Sequence, residues 1–217
     1  MKKKYIFILA FICVFYNFSY GENVKTDDVL SKIETADKNI RDMEFNFMQT
    51  ISYVSTGEKQ ASSGIVKYKK QNYIYMFQKK PCEQHTYIDG KKMTVYVPAN
   101  KQAVVENWKD VLNSDMILTM LVGFGKNFRS FEKNNLIILE ESQNNKEYRL
   151  LMKPKDSGQL WEMHINIGKE TLLVNSAEFD NKNFIIDVEL KGYKLNTGVG
   201  TDIFRFKPEK DIEVIEL

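Results

Sequence analysis

The chain has 217 residues, with 31 Lys+Arg against 29 Asp+Glu and a formal charge of +2. Three of the cations are Lys2, Lys3 and Lys4 and no acid precedes Glu22, so the part that follows holds 28 basic and 29 acidic residues. That near-neutrality excludes a dedicated nucleic-acid binder, which needs a basic excess to release counterions, and 43% apolar with 28% charged residues is a globular composition, not a disordered one.

In chain order, the first element is an export signal. Lys2 to Lys4 form its basic start, Ile6 to Phe15 is an unbroken apolar run, and Ser19-Tyr20-Gly21 puts small residues at the −3 and −1 positions of a cleavage site after Gly21. The run is about half the roughly 20 residues that a spanning helix needs. Cys13 lies inside the run behind Ile12, without the small residue that lipidation requires. The expectation is a cleaved signal over 1–21 and one mature domain over 22–217, soluble and outside the cytoplasm. Cys82 is then the only cysteine of the mature chain, which leaves no internal disulfide. A chain of this length buries enough surface without one. No Cys-His-Asn arrangement surrounds Cys82, which follows Pro81 in a loop.

Val29, Ile33, Ala36 and Ile40 recur at helical spacing behind Thr26, Asp27 and Asp28, which supply a cap and first-turn acids. From residue 44 the period becomes two: Phe45, Phe47, Gln49, Ile51 and Tyr53 alternate with mostly polar neighbours. A second strand is expected over 61–69. The third, Tyr73 to Phe77, is apolar on both faces. Tyr87 to Gly90 leads into Met93 to Val97, with Asp89-Gly90 predicted as the centre of a type I′ hairpin turn, where both residues need φ > 0. Residues 108–122 return to helical spacing, with Met116, Ile117, Met120 and Leu121 on one face. Strands resume at about 136–141, 146–153, 160–167, 171–179 and 184–195, and the run Ile203 to Phe206 reads as a short further one. The four prolines fall at strand ends, where a missing N–H costs no ladder bond. The fold class is mainly β (α+β): a single antiparallel sheet of about 11 strands, long enough to curl. Helices must cover its concave face, or a ligand must fill it.

Chemistry is scarce. The two histidines, His85 and His164, lie on separate strands, and no spacing matches a metal site. Gly123-Phe124-Gly125 lacks the third glycine of a phosphate loop and follows a helix. The carboxylates are dispersed. No catalytic residue, metal ligand or cofactor site is assigned, and a binding protein is expected in place of an enzyme. The tyrosines and lysines over 66–80 have the chemistry of a single-strand nucleic-acid surface, but the export signal and the neutral total oppose that. What remains is apolar excess on both faces of some strands, which points to a greasy cavity.

At this point the sequence resembles a known family. Phe47-Met48-Gln49 is similar to the opening F-x-Q strand of the LolA family, and Ser63-Gly64-Ile65-Val66-Lys67-Tyr68 to its next strand. Pro81, Asp89, Gly90, Lys91, Met93, Tyr96 and Pro98 follow the spacing of its central block. Tyr148 to Pro154, Leu160 to Gly168, Asn196-Thr197-Gly198 and Ile203 to Pro208 resemble its later motifs, in order, over nearly all of the mature chain. The resemblance implies an unclosed β-barrel whose hydrophobic cavity is capped by helices. It implies a monomeric periplasmic carrier without a cofactor, one that takes acylated lipoproteins from the inner-membrane ABC transporter LolCDE to an outer-membrane receptor or membrane and binds no nucleic acid. The alternative is a LolA-fold sensor of envelope stress like RseB, binding lipid or peptide, or a carrier of another lipid.

Carried onto this sequence, the family's inward positions are Phe47, Val66, Tyr68, Ile74, Met76, Met163 and Ile165, with Met116, Met120 and Leu121 from the helical lid. The family's Arg-Pro pair before the third strand is replaced by Lys70 and Gln71. Lys70 would stand for the arginine that latches the lid, but as a point charge without the planar fork. The physics of such a carrier is plain: one 16-carbon chain exposed to water costs roughly 12 kcal/mol at about 0.8 per CH₂. Flexible methionines such as Met76, Met116, Met120 and Met163 suit an adaptable cavity. Any attraction to acidic headgroups would fall to local lysines: Lys67, Lys69, Lys70, Lys79 and Lys80.

Overall fold

The computed structural model of the chain describes residues 25–108, 131–142 and 144–217. The export signal expected at 1–21 and the residues expected for a lid, Met116, Met120 and Leu121, lie outside them. One helix, α1 (Thr26–Lys38), precedes twelve strands: β1 (Asp42–Tyr53), β2 (Lys59–Lys69), β3 (Tyr73–Lys80), β4 (Gln84–Asp89), β5 (Lys92–Val97), β6 (Gln102–Asn107), β7 (Asn135–Glu140), β8 (Glu147–Pro154), β9 (Glu162–Gly168), β10 (Val174–Asp180), β11 (Phe184–Leu195) and β12 (Glu213–Glu216). They form one sheet in the order β12-β6-β5-β4-β3-β2-β1-β11-β10-β9-β8-β7. Its two outermost strands, β12 and β7, do not pair with each other, so the curled sheet stays an unclosed barrel. Every pairing is antiparallel except β12 on β6, which is parallel.

Two details depart from the sequence expectation. The run Ile203 to Phe206 is not a strand: Thr201–Phe204 makes a 3-10 turn that buries Phe204. The twelfth strand comes instead from Glu213–Glu216, whose four residues are all exposed. An exposed edge strand has no buried face and so leaves no alternation to read. The hairpin between β4 and β5 also differs. Its central residues are Gly90 and Lys91, and of Asp89, Gly90 and Lys91 only Gly90 has a positive φ, 87°. Asp89 closes the turn from outside, its Oδ1 accepting from the N–H groups of Lys91 and Lys92, both at 2.9 Å.

Strand parity separates two apolar faces. On the inner face, Phe45 lies opposite Val66, Val66 opposite Met76, and Tyr68 opposite Ile74, which in turn faces Ile88. Across the other half, Leu150 and Ala177 flank Ile165, while Met152 and Phe179 flank Met163. These residues, with Val188 and Leu190 of β11, form one buried cluster. Helix α1 closes it with Val29, Leu30 and Ile33, and Ile40 follows just after the helix. On the outer face, Tyr73, Tyr87 and Tyr96 are covered by the chain's own C-terminal segment. Phe206 packs 5.6 Å from Tyr87 and 5.3 Å from Tyr96, and Phe204 packs 5.7 Å from Tyr73. The double-sided apolar pattern of β3 therefore has two causes. One face belongs to the cluster under α1; the other is an aromatic seat for residues 204–206 and adds no second cavity face.

Polar tethers fix the ends of the central strands. Asp42, buried at the start of β1, accepts from Thr197 N at 2.8 Å and from Gly198 N at 3.2 Å. Asn196 accepts from Arg41 N at 2.7 Å and donates to Asn39 O at 3.0 Å. Asn196-Thr197-Gly198 is thus a cradle that locks the end of β11 to the start of β1. Buried carboxylates need such donors.

Candidate functional site

All seven cavity residues expected from the sequence fall on the inner face. Phe47, Val66, Ile74, Met163 and Ile165 are buried in its cluster, and Tyr68 and Met76 pack against it half-buried. Phe47 stands opposite Gly64, and that glycine is required by space. A Cβ there would run into the Phe77 carbonyl and come within 2.8 Å of the Phe47 ring. The Ser63-Gly64 motif is therefore the floor on which the Phe47 ring lies.

Sequence reasoning missed several inner-face members, among them Ile88, Leu150, Met152, Ile167, Val188 and Trp108. The same alternation that marked Met163 and Ile165 extends to Ile167, and cross-strand pairing carries it to Leu150 and Met152. Five methionines line this face or pack against it: Met43, Met152 and Met163 buried, Met76 and Met93 partly so. Their unbranched, polarisable side chains fill irregular space and rearrange at low cost.

Few polar groups reach the cluster. The Tyr193 hydroxyl donates to Val174 O at 2.6 Å, and burial pushes it well above the usual tyrosine range. Burial, reinforced by the nearby Asp37 carboxylate, pushes Tyr68 up to about 12. Trp108, just after β6, is 1% exposed, and its indole Nε1 has no acceptor among the described residues. A buried donor left in that state costs about 1–3 kcal/mol.

Helix α1 is fastened at both ends. Lys25, at its N-cap position, makes no side-chain cap, and the Thr26 hydroxyl reaches away to accept from Leu139 N on β7 at 3.1 Å. At the other end, Lys70 Nζ donates to Asp37 O at 3.0 Å and Lys38 O at 2.9 Å. A cation there meets the Lys38 carbonyl, adds a second donor to an Asp37 carbonyl that already accepts from Ile40 N at 3.0 Å, and faces the negative end of the helix dipole. Lys70 thus holds a helix across the inner face by backbone carbonyls. Its neighbours Gln71 and Asn72 both take positive φ, 78° and 64°, a turn that a proline at 71 cannot adopt, because its ring fixes φ near −65°.

Titratable groups gather elsewhere. His85 sits on the outer face between Tyr75 Oη and Glu83 Oε1, 2.9 Å from each. His164 lies 3.0 Å from Glu140, which also accepts from Arg149 Nε at 3.1 Å. Among the described residues, no group of His, Cys, Asp and Glu is placed to hold a metal. Cys82 is exposed and unpaired. An open hollow of about 580 Å³ beside the chain end is bounded by Lys91, Lys92, Val105, Glu106, Glu216 and Leu217. Most of the lysine patch is spoken for. Lys67 pairs with Glu44 at 3.3 Å, Lys69 donates to Val199 O at 2.6 Å, and Lys70 caps α1. Lys79 and Lys80 stand exposed. The inner face is therefore suited to holding apolar groups by burial.

Comparison with known proteins gives the same direction. The model of the family described as "Outer membrane lipoprotein carrier protein LolA" matches residues 38–207. The outer-membrane lipoprotein carrier protein of Francisella tularensis subsp. novicida (strain U112) is 25% identical over 210 residues, 96% of each chain. That of Legionella pneumophila (strain Corby) is 26% identical over 178 residues, 82% of this chain and 84% of its own. Among solved structures, MucB shares the fold at a TM-score of 0.53 and 11% identity, covering 87% of this chain and 64% of its own. With a family match over most of the length and a single unclosed sheet closed by an N-terminal helix, the chain belongs to the LolA family of outer membrane lipoprotein carrier proteins.

Proposed function

We propose that this protein is a non-enzymatic periplasmic carrier that shields the acyl chains of lipoproteins, accepting them from an inner-membrane ABC transporter of the LolCDE type and releasing them at the outer membrane. The observation that carries this reading is the inner face. It is a continuous apolar surface running from Ile88 on β4 to Leu150 on β8, rich in methionine and, among the described residues, covered by helix α1, which is held at its two ends. Burial is the main force such a surface exerts, and it is the force an acyl chain needs: roughly 12 kcal/mol for 16 carbons. The basic, apolar and small-residue order of residues 1–21 supports export ahead of that role.

The test is release of a labelled lipoprotein from spheroplasts. Adding the purified protein should bring the acylated lipoprotein into the supernatant as a one-to-one complex, and a version of the cargo lacking its acyl chains should not bind. Failure to release the acylated form, with no acylated species co-purifying from periplasm, refutes the reading.

A further inference from the structure

We propose that the indole N–H of Trp108 is an anchor for the acyl carbonyl of the cargo, so that the inner face recognises the neutral ester or amide at the head of a fatty chain as well as its hydrocarbon. The inference rests on the carrier reading and adds the polar half of the ligand to it.

Trp108 is 1% exposed and belongs to the cluster that α1 closes. Its backbone is fixed at the end of β6, the N–H donating to Lys91 O at 2.9 Å. Its side chain carries a donor and no acceptor, and that donor is unmet among the described residues. A second deep donor on this face, the Tyr193 hydroxyl, is already committed to Val174 O. Buried polar groups are nearly always paired, so an exception calls for a missing partner. Water is a poor candidate, because a buried water needs two to four polar partners and the cluster around Trp108 is apolar. An ammonium or hydrocarbon has nothing to accept with. An ionised fatty acid would bring an uncompensated charge into the cluster. A neutral acyl carbonyl brings an acceptor on an apolar body, which matches both halves of the site. In the empty state the lone N–H destabilises the closed cluster, and an incoming carbonyl removes that penalty.

The experiment uses the purified mature chain, wild type and Trp108→Phe. The probes are a diacylglyceryl-cysteine lipopeptide and its dialkyl-ether counterpart, with a diacyl and a dialkyl phosphatidylglycerol as a second pair. Within each pair only the carbonyls differ. Calorimetry on wild type should show the ester form binding roughly three- to tenfold tighter than the ether, the range of one net hydrogen bond. Trp108→Phe should lose the preference, binding ester and ether equally. In wild-type nitrogen–proton NMR spectra, one of two indole signals should move downfield with the ester and stay with the ether. The chain has two tryptophans, so its disappearance in Trp108→Phe identifies it. This readout stands even if the variant folds poorly. A preference confined to the lipopeptide pair assigns the carbonyl to lipoprotein cargo; one seen in both pairs assigns it to acyl esters in general; both support the anchor. Equal binding of ester and ether by wild type, a preference retained in Trp108→Phe, or an unmoved indole signal overturns the anchor alone. Failure of all four lipids to bind wild type overturns the carrier reading with it.

Discussion

Replacing Gly64 with alanine tests the packing of the inner face at its tightest point. In an ordinary strand the change would be mildly stabilising, by about 0.5–1 kcal/mol, because glycine loses more backbone freedom on folding. Here the added methyl meets three obstacles: the Phe77 carbonyl, the Phe47 ring at 2.8 Å and Gln78 Cα at 2.9 Å. Two of the three are backbone and cannot rotate aside. Overpacking of this kind costs about 1–3 kcal/mol, so the net expectation is a loss of about 1–2 kcal/mol. In urea, with a slope near ~2 kcal/mol per M, the midpoint should fall by roughly 0.5–1 M without a change of slope. Placing Gly64→Ala in a Phe47→Leu background should recover part of the loss, since only the ring contact is relieved. A midpoint that stays or rises would refute the close approach of β1, β2 and β3. Complete recovery in the double variant would assign the whole effect to the ring.

Three further outcomes follow from the geometry. Lys70→Met should cost about 1–2 kcal/mol by removing the donor to the Lys38 carbonyl and the cation at the negative end of α1, and amide exchange should speed up at residues 36–40 before it does elsewhere; protection unchanged there would refute the capping role. Ile74→Glu should fail to fold, because an unpaired carboxylate in a fully buried position costs several kcal/mol, whereas half-buried Met76→Glu should fold and bind acyl chains about tenfold more weakly, about 1.4 kcal/mol; a circular-dichroism melt and a lipid titration separate the two, and equal behaviour would refute the burial difference. Tyr68 and Tyr87, raised from the usual 10 to about 12 by burial, hold their protons more tightly folded than unfolded. Stability should therefore be level below pH 10 and fall as pH climbs from 10 towards 12, tracked by tyrosinate absorbance, and titration of every tyrosine near 10 with the fold intact would refute it.

Much of this was legible in the sequence because burial on one face writes a period of two. The strand period and the ordered motifs together placed Met163 and Ile165 on the inner face, with Phe47, Val66 and Tyr68 on the same side. What stayed hidden had no periodic signature. β12 buries none of its residues, and the outward-facing aromatics of β3 and β4 looked like cavity lining because nothing in their own strands shows that residues 204–206 return to cover them. Lys70 read as a substitute for a latch. Its use, on the carbonyls ending α1, depends on β2 running back beside β1, where Lys69 lies opposite Asp42 and the Lys70 N–H donates to Arg41 O, so that segments more than thirty residues apart meet. Trp108 carried no signal, since an unmet donor exists only once its surroundings are known.

The strength of α1's hold bears on what could displace it. Three hydrogen bonds, from Leu139 N to Thr26 and from Lys70 to two carbonyls, contribute about 0.5–1.5 kcal/mol each. Burial of Val29, Leu30 and Ile33 contributes about 1.5–3 kcal/mol apiece. Lifting the helix off the inner face therefore costs ~6–13 kcal/mol in all. One 16-carbon chain gains roughly 12 kcal/mol by entering, near the top of that range, while two chains gain about 24 kcal/mol, above all of it. On the carrier reading, α1 would then respond to chain number: a cargo with two or more chains displaces it with a wide margin, and a singly acylated molecule does so with a narrow one.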